Sequence, residues 1–143
     1  MATAQEKQIE LRLTLARDKL GVARELFQNA HYNDAVSKAY YAMFYASKAV
    51  LLALGEDPHR HKGVVTFFGE KIAKVGLTDP RYGRTLANAQ RLREDADYNE
   101  QYFATREEAD RAIRDAEDFV REAQVILAKI HVEKRNVHRP QNP

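Results

Sequence analysis

A guanidinium, a carboxylate and a phenol lie within about one and a half turns of a predicted helix, on Arg93, Asp97 and Tyr98. Arginine binds phosphate through paired N–H donors, and tyrosine stacks on a base or donates a hydrogen bond. Arg93 continues an apolar stripe that begins at Tyr82 and runs through Leu86, so it stands where an apolar side chain is expected. Because a buried guanidinium is costly without partners, the sequence predicts a polar network around Arg93, with Asp97 as the nearest partner.

A second arginine lies on a neighbouring face of the same helix. Arg91, Asp95 and Tyr98 are spaced i, i+4 and i+7, which brings them to one side of a helix. We therefore expect Arg91 and Arg93 to flank a single groove.

Three tyrosines of an earlier segment, Tyr40, Tyr41 and Tyr45, offer rings on which nucleic-acid bases can stack. They also fit a protein core or a dimer interface, because the same segment is apolar nearly all round. If they are buried, their hydroxyls need hydrogen-bond partners, and Arg93 and Asp97 can supply them. The network is then either a ligand site or a purely structural cluster.

The loop around His59 and His61 carries two histidines that alternate with Arg60 and Lys62. Two histidines do not complete a metal site, and no helical His/carboxylate pair accompanies them, so no metal is predicted. The loop leads into a helix N-terminus, where backbone N–H groups favour an anion. An anion site and a solvated basic loop are both open interpretations.

Composition excludes several classes of protein. The chain has 143 residues and no cysteine, which removes disulfides and thiolate chemistry. No glycine-flanked serine or glycine-rich phosphate loop occurs, and no cofactor is expected. With 23 basic and 21 acidic residues, any nucleic-acid binding must be local. No apolar run approaches the roughly 20 residues that cross a bilayer, so we expect a cytoplasmic protein without a membrane partner.

The spacing of apolar residues predicts an all-α fold, an up-and-down bundle of four to five helices. Asn33 or Asp34 is expected to cap the second helix, Asp79 the fourth and Thr105 the fifth. For the third helix a strand is the alternative. We expect a bundle over residues 1–130 and a flexible basic tail over residues 131–143. The expected helices cover about residues 5–27, 34–54, 63–75, 80–99 and 105–130.

Alanines recur through the second helix at spacings of four and three residues, a seam of small side chains that a partner helix can approach closely. This helix is therefore expected to be central. The seam consists of Ala35, Ala39, Ala42, Ala46, Ala49 and Ala53.

Four segments of the sequence, taken in their order along the chain, resemble the HEPN family, the higher-eukaryote and prokaryote nucleotide-binding domain. The likeness covers about residues 8–130 and is closest to small stand-alone prokaryotic members. The segments are residues 39–49 (AYYAMFYASKA), 61–63 (HKG), 93–98 (REDADY) and 107–109 (EEA) with Phe119.

This resemblance implies a helical bundle, often a homodimer, commonly encoded beside a minimal nucleotidyltransferase as a toxin–antitoxin or nucleotide-handling pair. Several family branches are metal-independent ribonucleases that use an arginine followed, after four to six residues, by a histidine. The present chain departs from that motif. A five-residue step from Arg91 reaches Ala96, the same step from Arg93 reaches Tyr98, and no histidine follows before His131.

Three hypotheses remain. The first is a dimeric binding module for a nucleotide, RNA or a partner nucleotidyltransferase, without catalysis. The second is a metal-independent endoribonuclease that uses Arg91 or Arg93 with His61 or Tyr98. The third is a purely structural interaction subunit, in which the polar cluster fixes helix register. The candidate ligand-binding residues are Arg91, Arg93, Asp97, Tyr98, His61 and Tyr41.

Overall fold

The computed structural model describes residues 1–137, which form five α-helices and no strand. The predicted all-α bundle is confirmed, and the strand alternative for the third segment is wrong. A π-helical turn continues the third helix without a break. The elements are α1 (Ala4–Gln28), α2 (Tyr32–Ala53), α3 (His61–Phe68) with the π-helical turn (Gly69–Ala73), α4 (Arg81–Tyr98) and α5 (Arg106–Val137).

The helix α2 is the centre of the bundle and contacts α1, α3, α4 and α5. Its alanine seam is buried against neighbouring helices of the same chain, with Ala39, Ala42 and Ala46 at 0% exposure. Small side chains permit this close approach, while Tyr40, Met43 and Leu51 fill the remaining space as fully buried side chains. The central position predicted for α2 is confirmed.

The ends of three helices follow their local signals. Asp79 accepts a hydrogen bond from the backbone N–H of Arg81 at 2.9 Å, and Thr105 accepts one from Glu108 N–H at 3.0 Å. Gly76 follows the π-helical turn with a φ of +86°, a conformation that favours glycine.

The predicted cap of α2 is wrong. The helix begins at Tyr32, so Asn33 and Asp34 lie inside its first turn, and no side chain caps it at His31. Asn33 instead holds the loop between α4 and α5. Its side chain donates to the Tyr102 carbonyl at 3.0 Å and accepts from the Ala104 N–H at 2.7 Å. These two long-range hydrogen bonds satisfy the Tyr102 carbonyl and the Ala104 N–H of this loop.

The fifth helix runs beyond the expected end near residue 130. Residues 131–135 are exposed after the buried Ile130, yet the helix continues to Val137. Residues such as Lys134 have high helix propensity, so the helix persists after its apolar period stops. Lys134 also donates to the Ala53 carbonyl at 2.6 Å, which ties this part of α5 to α2. The flexible basic tail over residues 131–143 stays a prediction: residues 131–137 continue α5, and residues 138–143 lie outside the described residues.

Within residues 1–137, no helix combines the length and the apolar character that crossing a bilayer requires.

Candidate ligand-binding site

An open groove of about 620 Å³ lies where α2, the start of α3 and the last turns of α4 meet. The central helix supplies an aromatic wall, α3 contributes its first residue, and the end of α4 supplies charged and amide groups. We call this groove the arginine pocket. Its lining residues are Tyr41, His61, Arg93, Glu94, Asp95, Tyr98 and Asn99.

Arg93 lies at the buried side of this pocket and is only 7% exposed. Its guanidinium carbon lies 5.3 Å from the ring centroid of Tyr40, 5.7 Å from that of Tyr41 and 6.0 Å from that of Tyr98. The negative face of an aromatic ring attracts a cation at such distances. Three tyrosines therefore compensate part of the cost of burying this charge.

The polar partners of Arg93 are incomplete. Its nearest carboxylate oxygen, Asp97 Oδ2, is 3.7 Å away, which is too long for a hydrogen bond. That carboxylate also accepts from the Ser37 hydroxyl at 3.3 Å. The buried Nε of Arg93 has no hydrogen-bond partner in the described part of the chain. A buried donor without an acceptor is unfavourable, so Arg93 is suited to receive an anionic group from outside the protein.

His61 and Tyr40 form a second polar contact beside Arg93. The Tyr40 hydroxyl and His61 Nδ1 lie 2.8 Å apart, and the imidazole stacks on Phe44 with ring centroids 4.3 Å apart. Burial lowers the pKa of His61, and the charges of Arg93 and Lys48 lower it further. Burial also raises the pKa of Tyr40. At neutral pH the site therefore contains a neutral imidazole and a protonated phenol.

The structure brings together most of the residues predicted for the site. Tyr41, His61, Arg93 and Tyr98 all line the arginine pocket, although His61 comes from a different helix. Asp97 lies beside the pocket through its contact with Arg93, and its side chain is 28% exposed.

Arg91 does not line the pocket, contrary to the expectation that both arginines flank one groove. It is exposed and donates a hydrogen bond to Asn88 on the same helix. Residues two apart on a helix point about 200° from each other, so Arg91 and Arg93 cannot share one side. The i, i+4 and i+7 spacing located Asp95 and Tyr98 correctly but not Arg91.

Sequence reasoning also missed Glu94 and Asn99, and it left open which tyrosine of α2 joins the network. Glu94 stands four residues before Tyr98, so helical spacing contained a signal for its position. Asn99 follows the last residue of α4, where no helical period fixes the direction of a side chain. Tyr40 reaches the network through tertiary packing.

The histidine loop does not form a second site with this pocket. His59, Arg60 and Lys62 are exposed, and only His61 of this loop lines the arginine pocket. Among residues 1–137, no three acidic or histidine side chains lie close enough together to hold a metal ion.

Comparison with known proteins gives consistent relationships over nearly the whole described chain. "Putative toxin MJ0605" of Methanocaldococcus jannaschii is 37% identical over 124 residues, which are 87% of this chain and 92% of that protein. A "UPF0332 protein" of Archaeoglobus fulgidus is 35% identical over 122 residues, covering 85% of this chain and 97% of the relative. "Putative toxin MJ0142" of M. jannaschii is 27% identical over 129 residues, covering 90% and 88% of the two chains. The family model of the HEPN domain matches residues 9–126. The chain therefore belongs to the HEPN domain family.

Proposed function

We propose that this HEPN domain is a binding module for a nucleotide or RNA within a toxin–antitoxin-like pair, and that the arginine pocket is its binding site. The observation that carries the proposal is Arg93, which lines an open groove although its buried Nε has no acceptor among residues 1–137. Two relatives named as toxins support the toxin–antitoxin context.

The pocket combines a cationic part at Arg93 with a part that offers aromatic rings and carboxylates. A phosphate fits at Arg93, because a planar guanidinium offers paired donors to phosphate oxygens. Tyr41 and Tyr98 offer rings for stacking, and Tyr98 is 76% exposed, so its ring is available to a base. Glu94 and Asp95 are acceptors for the amino or hydroxyl groups of a nucleoside. A ligand with an anionic end and a donor-bearing aromatic end satisfies both halves.

A homodimer and a partner nucleotidyltransferase are part of this proposal. Phe103 is 80% exposed on the loop between α4 and α5, close in sequence to Tyr98. Exposed aromatic side chains are frequent anchors of protein interfaces. The surface that carries Phe103 is therefore our candidate for the contact between two copies of the chain.

A specific observation favours one alternative function, metal-independent RNA cleavage. His61 lines the same pocket as Arg93, so α3 supplies a histidine to this site, whereas α4 of this chain lacks the histidine of the family motif. His61 would serve as a general base only if its Nε2 is unprotonated, which requires Nδ1–H to donate to the Tyr40 oxygen. If the Tyr40 hydroxyl donates instead, Nε2 carries the proton and is a donor to phosphate. The binding function needs only this second arrangement.

The binding proposal is tested by thermal unfolding with and without AMP or a short oligoadenylate. We expect ligand to raise the Tm of the wild-type protein and of Arg91→Met by the same amount, because Arg91 is outside the pocket. Arg93→Met should remove the shift. The methionine keeps the length and apolar body of the side chain, so the bundle should stay folded.

Three outcomes would refute the proposal. The first is the absence of any ligand-induced shift in the wild-type protein, and the second is an equal loss of the shift in both arginine variants. The third is an Arg93→Met variant that lowers only the Tm of the free protein and leaves the ligand shift intact, which would assign the polar cluster a structural role.

Cleavage is tested separately by incubating labelled single-stranded RNA with the protein in EDTA. The alternative function predicts cleavage by the wild-type protein and by His59→Asn, and none by His61→Asn. Intact RNA in all three samples would eliminate the alternative and leave the binding proposal unaffected.

A further inference from the structure

A second pocket of about 300 Å³ adjoins the arginine pocket on α1, α2 and the end of α4. Its lining differs from that of the arginine pocket except for one side chain, Tyr41. We call it the lysine pocket. Its lining residues are Lys19, Asp34, Ser37, Lys38, Tyr41, Tyr45 and Asp97.

Tyr41 connects the two pockets. The Lys38 Nζ lies 5.5 Å from the centroid of its ring, and the Arg93 guanidinium carbon lies 5.7 Å from the same centroid. Asp97 forms a second connection, because it lines the lysine pocket while contacting Arg93. One aromatic ring therefore interacts with a cation of the arginine pocket and with a cation of the lysine pocket.

The charges around the two pockets favour one path for an anionic ligand that extends from Arg93. Lys19 and Lys38 are both half-buried, and neither takes part in an ion pair within residues 1–137. Asp97 is already engaged by Arg93 and Ser37. Asp34 is then the one opposing carboxylate in the lining.

The arginine pocket has two carboxylates that the lysine pocket does not share. Glu94 and Asp95 belong to its lining, and neither lines the lysine pocket. A polyanion that leaves Arg93 in their direction meets negative charge. One that passes Tyr41 meets the two lysines.

We infer that the lysine pocket is a second subsite for the adjacent nucleotide of a single-stranded nucleic acid, so the ligand of the combined site is an oligonucleotide of at least two residues. One phosphate contacts Arg93 and the next contacts Lys38 and Lys19. Tyr41 and Tyr45 provide rings for the bases of the two nucleotides. This inference rests on the proposed function of the arginine pocket.

The test compares the affinities of AMP and of the dinucleotide pApA at fixed salt, measured by isothermal titration calorimetry. AMP reaches only the arginine pocket and supplies the reference affinity. We expect pApA to bind at least roughly tenfold more tightly than AMP, because each added phosphate contact contributes a salt-dependent gain. Lys38→Gln should remove most of this gain and lower the salt dependence of pApA binding by about one phosphate contact. Lys62→Gln, an exposed lysine outside both pockets, should leave the gain intact.

The outcomes separate the two levels of the proposal. If pApA binds no more tightly than AMP, or if Lys38→Gln and Lys62→Gln have equal effects, the lysine pocket is not a subsite while the arginine pocket stands. If neither AMP nor pApA binds the wild-type protein, the proposed function fails and this inference fails with it.

Discussion

Arg93 is the residue on which the site depends. It occupies an apolar stripe, and three tyrosine rings and one distant carboxylate compensate its burial without giving its Nε an acceptor. If position 93 served stability alone, an apolar side chain would suit it better. A buried charge with incomplete hydrogen bonding stabilises the fold less than an apolar side chain does. The incomplete compensation is consistent with a role in binding.

His61 adds a pH dependence whose sign follows from its surroundings. Burial lowers its pKa below the ordinary value of 6.5, Arg93 and Lys48 lower it further, and Glu94 acts in the opposite direction. Protons therefore bind the unfolded chain more readily than the folded one between the folded pKa and 6.5. The free energy of unfolding should be highest above pH 6.5 and should fall as the pH drops through that interval.

Urea unfolding as a function of pH measures this contribution. His61→Gln should flatten the pH dependence below 6.5 relative to the wild-type protein, whereas His59→Gln should retain the wild-type slope. Identical slopes in the wild-type protein and His61→Gln would contradict the assignment. Carboxyl groups that titrate in the same range affect all three proteins and cancel in the comparison.

Among the elements, α2 determines where the site lies. Its alanines bring neighbouring helices close, and its tyrosines then lie beside the end of α4 and the start of α3. Because the alanine seam is buried within the monomer, side chains larger than alanine have no space there.

Ala42→Leu tests this packing. Ala42 is 0% exposed, so we expect the added carbons to lower the free energy of unfolding by about 1–3 kcal/mol through overpacking. Ala87→Leu on the exposed face of α4 is the matched control and should change stability little. Chemical denaturation of both variants gives the comparison, and equal stabilities would mean that the seam is not tightly packed.

The loop between α4 and α5 depends on one side chain of α2. In Asn33→Ala, the N–H of the buried Ala104 loses its acceptor, and the Tyr102 carbonyl loses its donor. We expect a loss of about 1–3 kcal/mol and faster hydrogen exchange at the Ala104 amide. Asn88→Ala, which removes an exposed hydrogen bond to Arg91, should change neither. Unchanged exchange at Ala104 in Asn33→Ala would show that this contact does not hold the loop.

The predictable features were those encoded by spacing within one helix. Thr105 and Asp79 mark helix starts through contacts two or three residues away, and Arg93 stands out because it interrupts a periodic stripe. Asn33 could not be assigned, because its side chain is equally suited to a cap and to a contact about 70 residues away. The side chains of His61 and Tyr40 come into contact only when α2 and α3 pack together. No pattern within one helix predicts this contact.

At the scale of the whole molecule, the near balance of charge means that binding depends on local arrangement. A formal charge of +2 gives a weak overall attraction to a polyanion. The cations of the two adjoining pockets therefore have to supply the phosphate contacts. Phe103, which is exposed on the loop after α4 and outside the lining of both pockets, is the side chain that we propose for protein contacts.

The proposed homodimer makes a prediction about this surface. Sedimentation of the wild-type protein should show a dimer, and Phe103→Ser should shift it toward monomer, because a large apolar anchor is lost. Val75→Ser is the control, since Val75 is 63% exposed but follows the π-helical turn at a different place in the fold. A monomeric wild-type protein, or equal dissociation of both variants, would contradict this assignment.

The most direct measurement of the binding site is the side-chain Nε–H resonance of Arg93, observed by NMR during titration with AMP. A phosphate bound by the Arg93 guanidinium should shift this resonance by changing the electronic environment of the group, while the Nε–H resonance of Arg91 stays unchanged. Assignment through Arg93→Lys and Arg91→Lys identifies the two signals. Saturating AMP that leaves the Arg93 resonance unmoved, or that shifts Arg91 instead, would contradict the account.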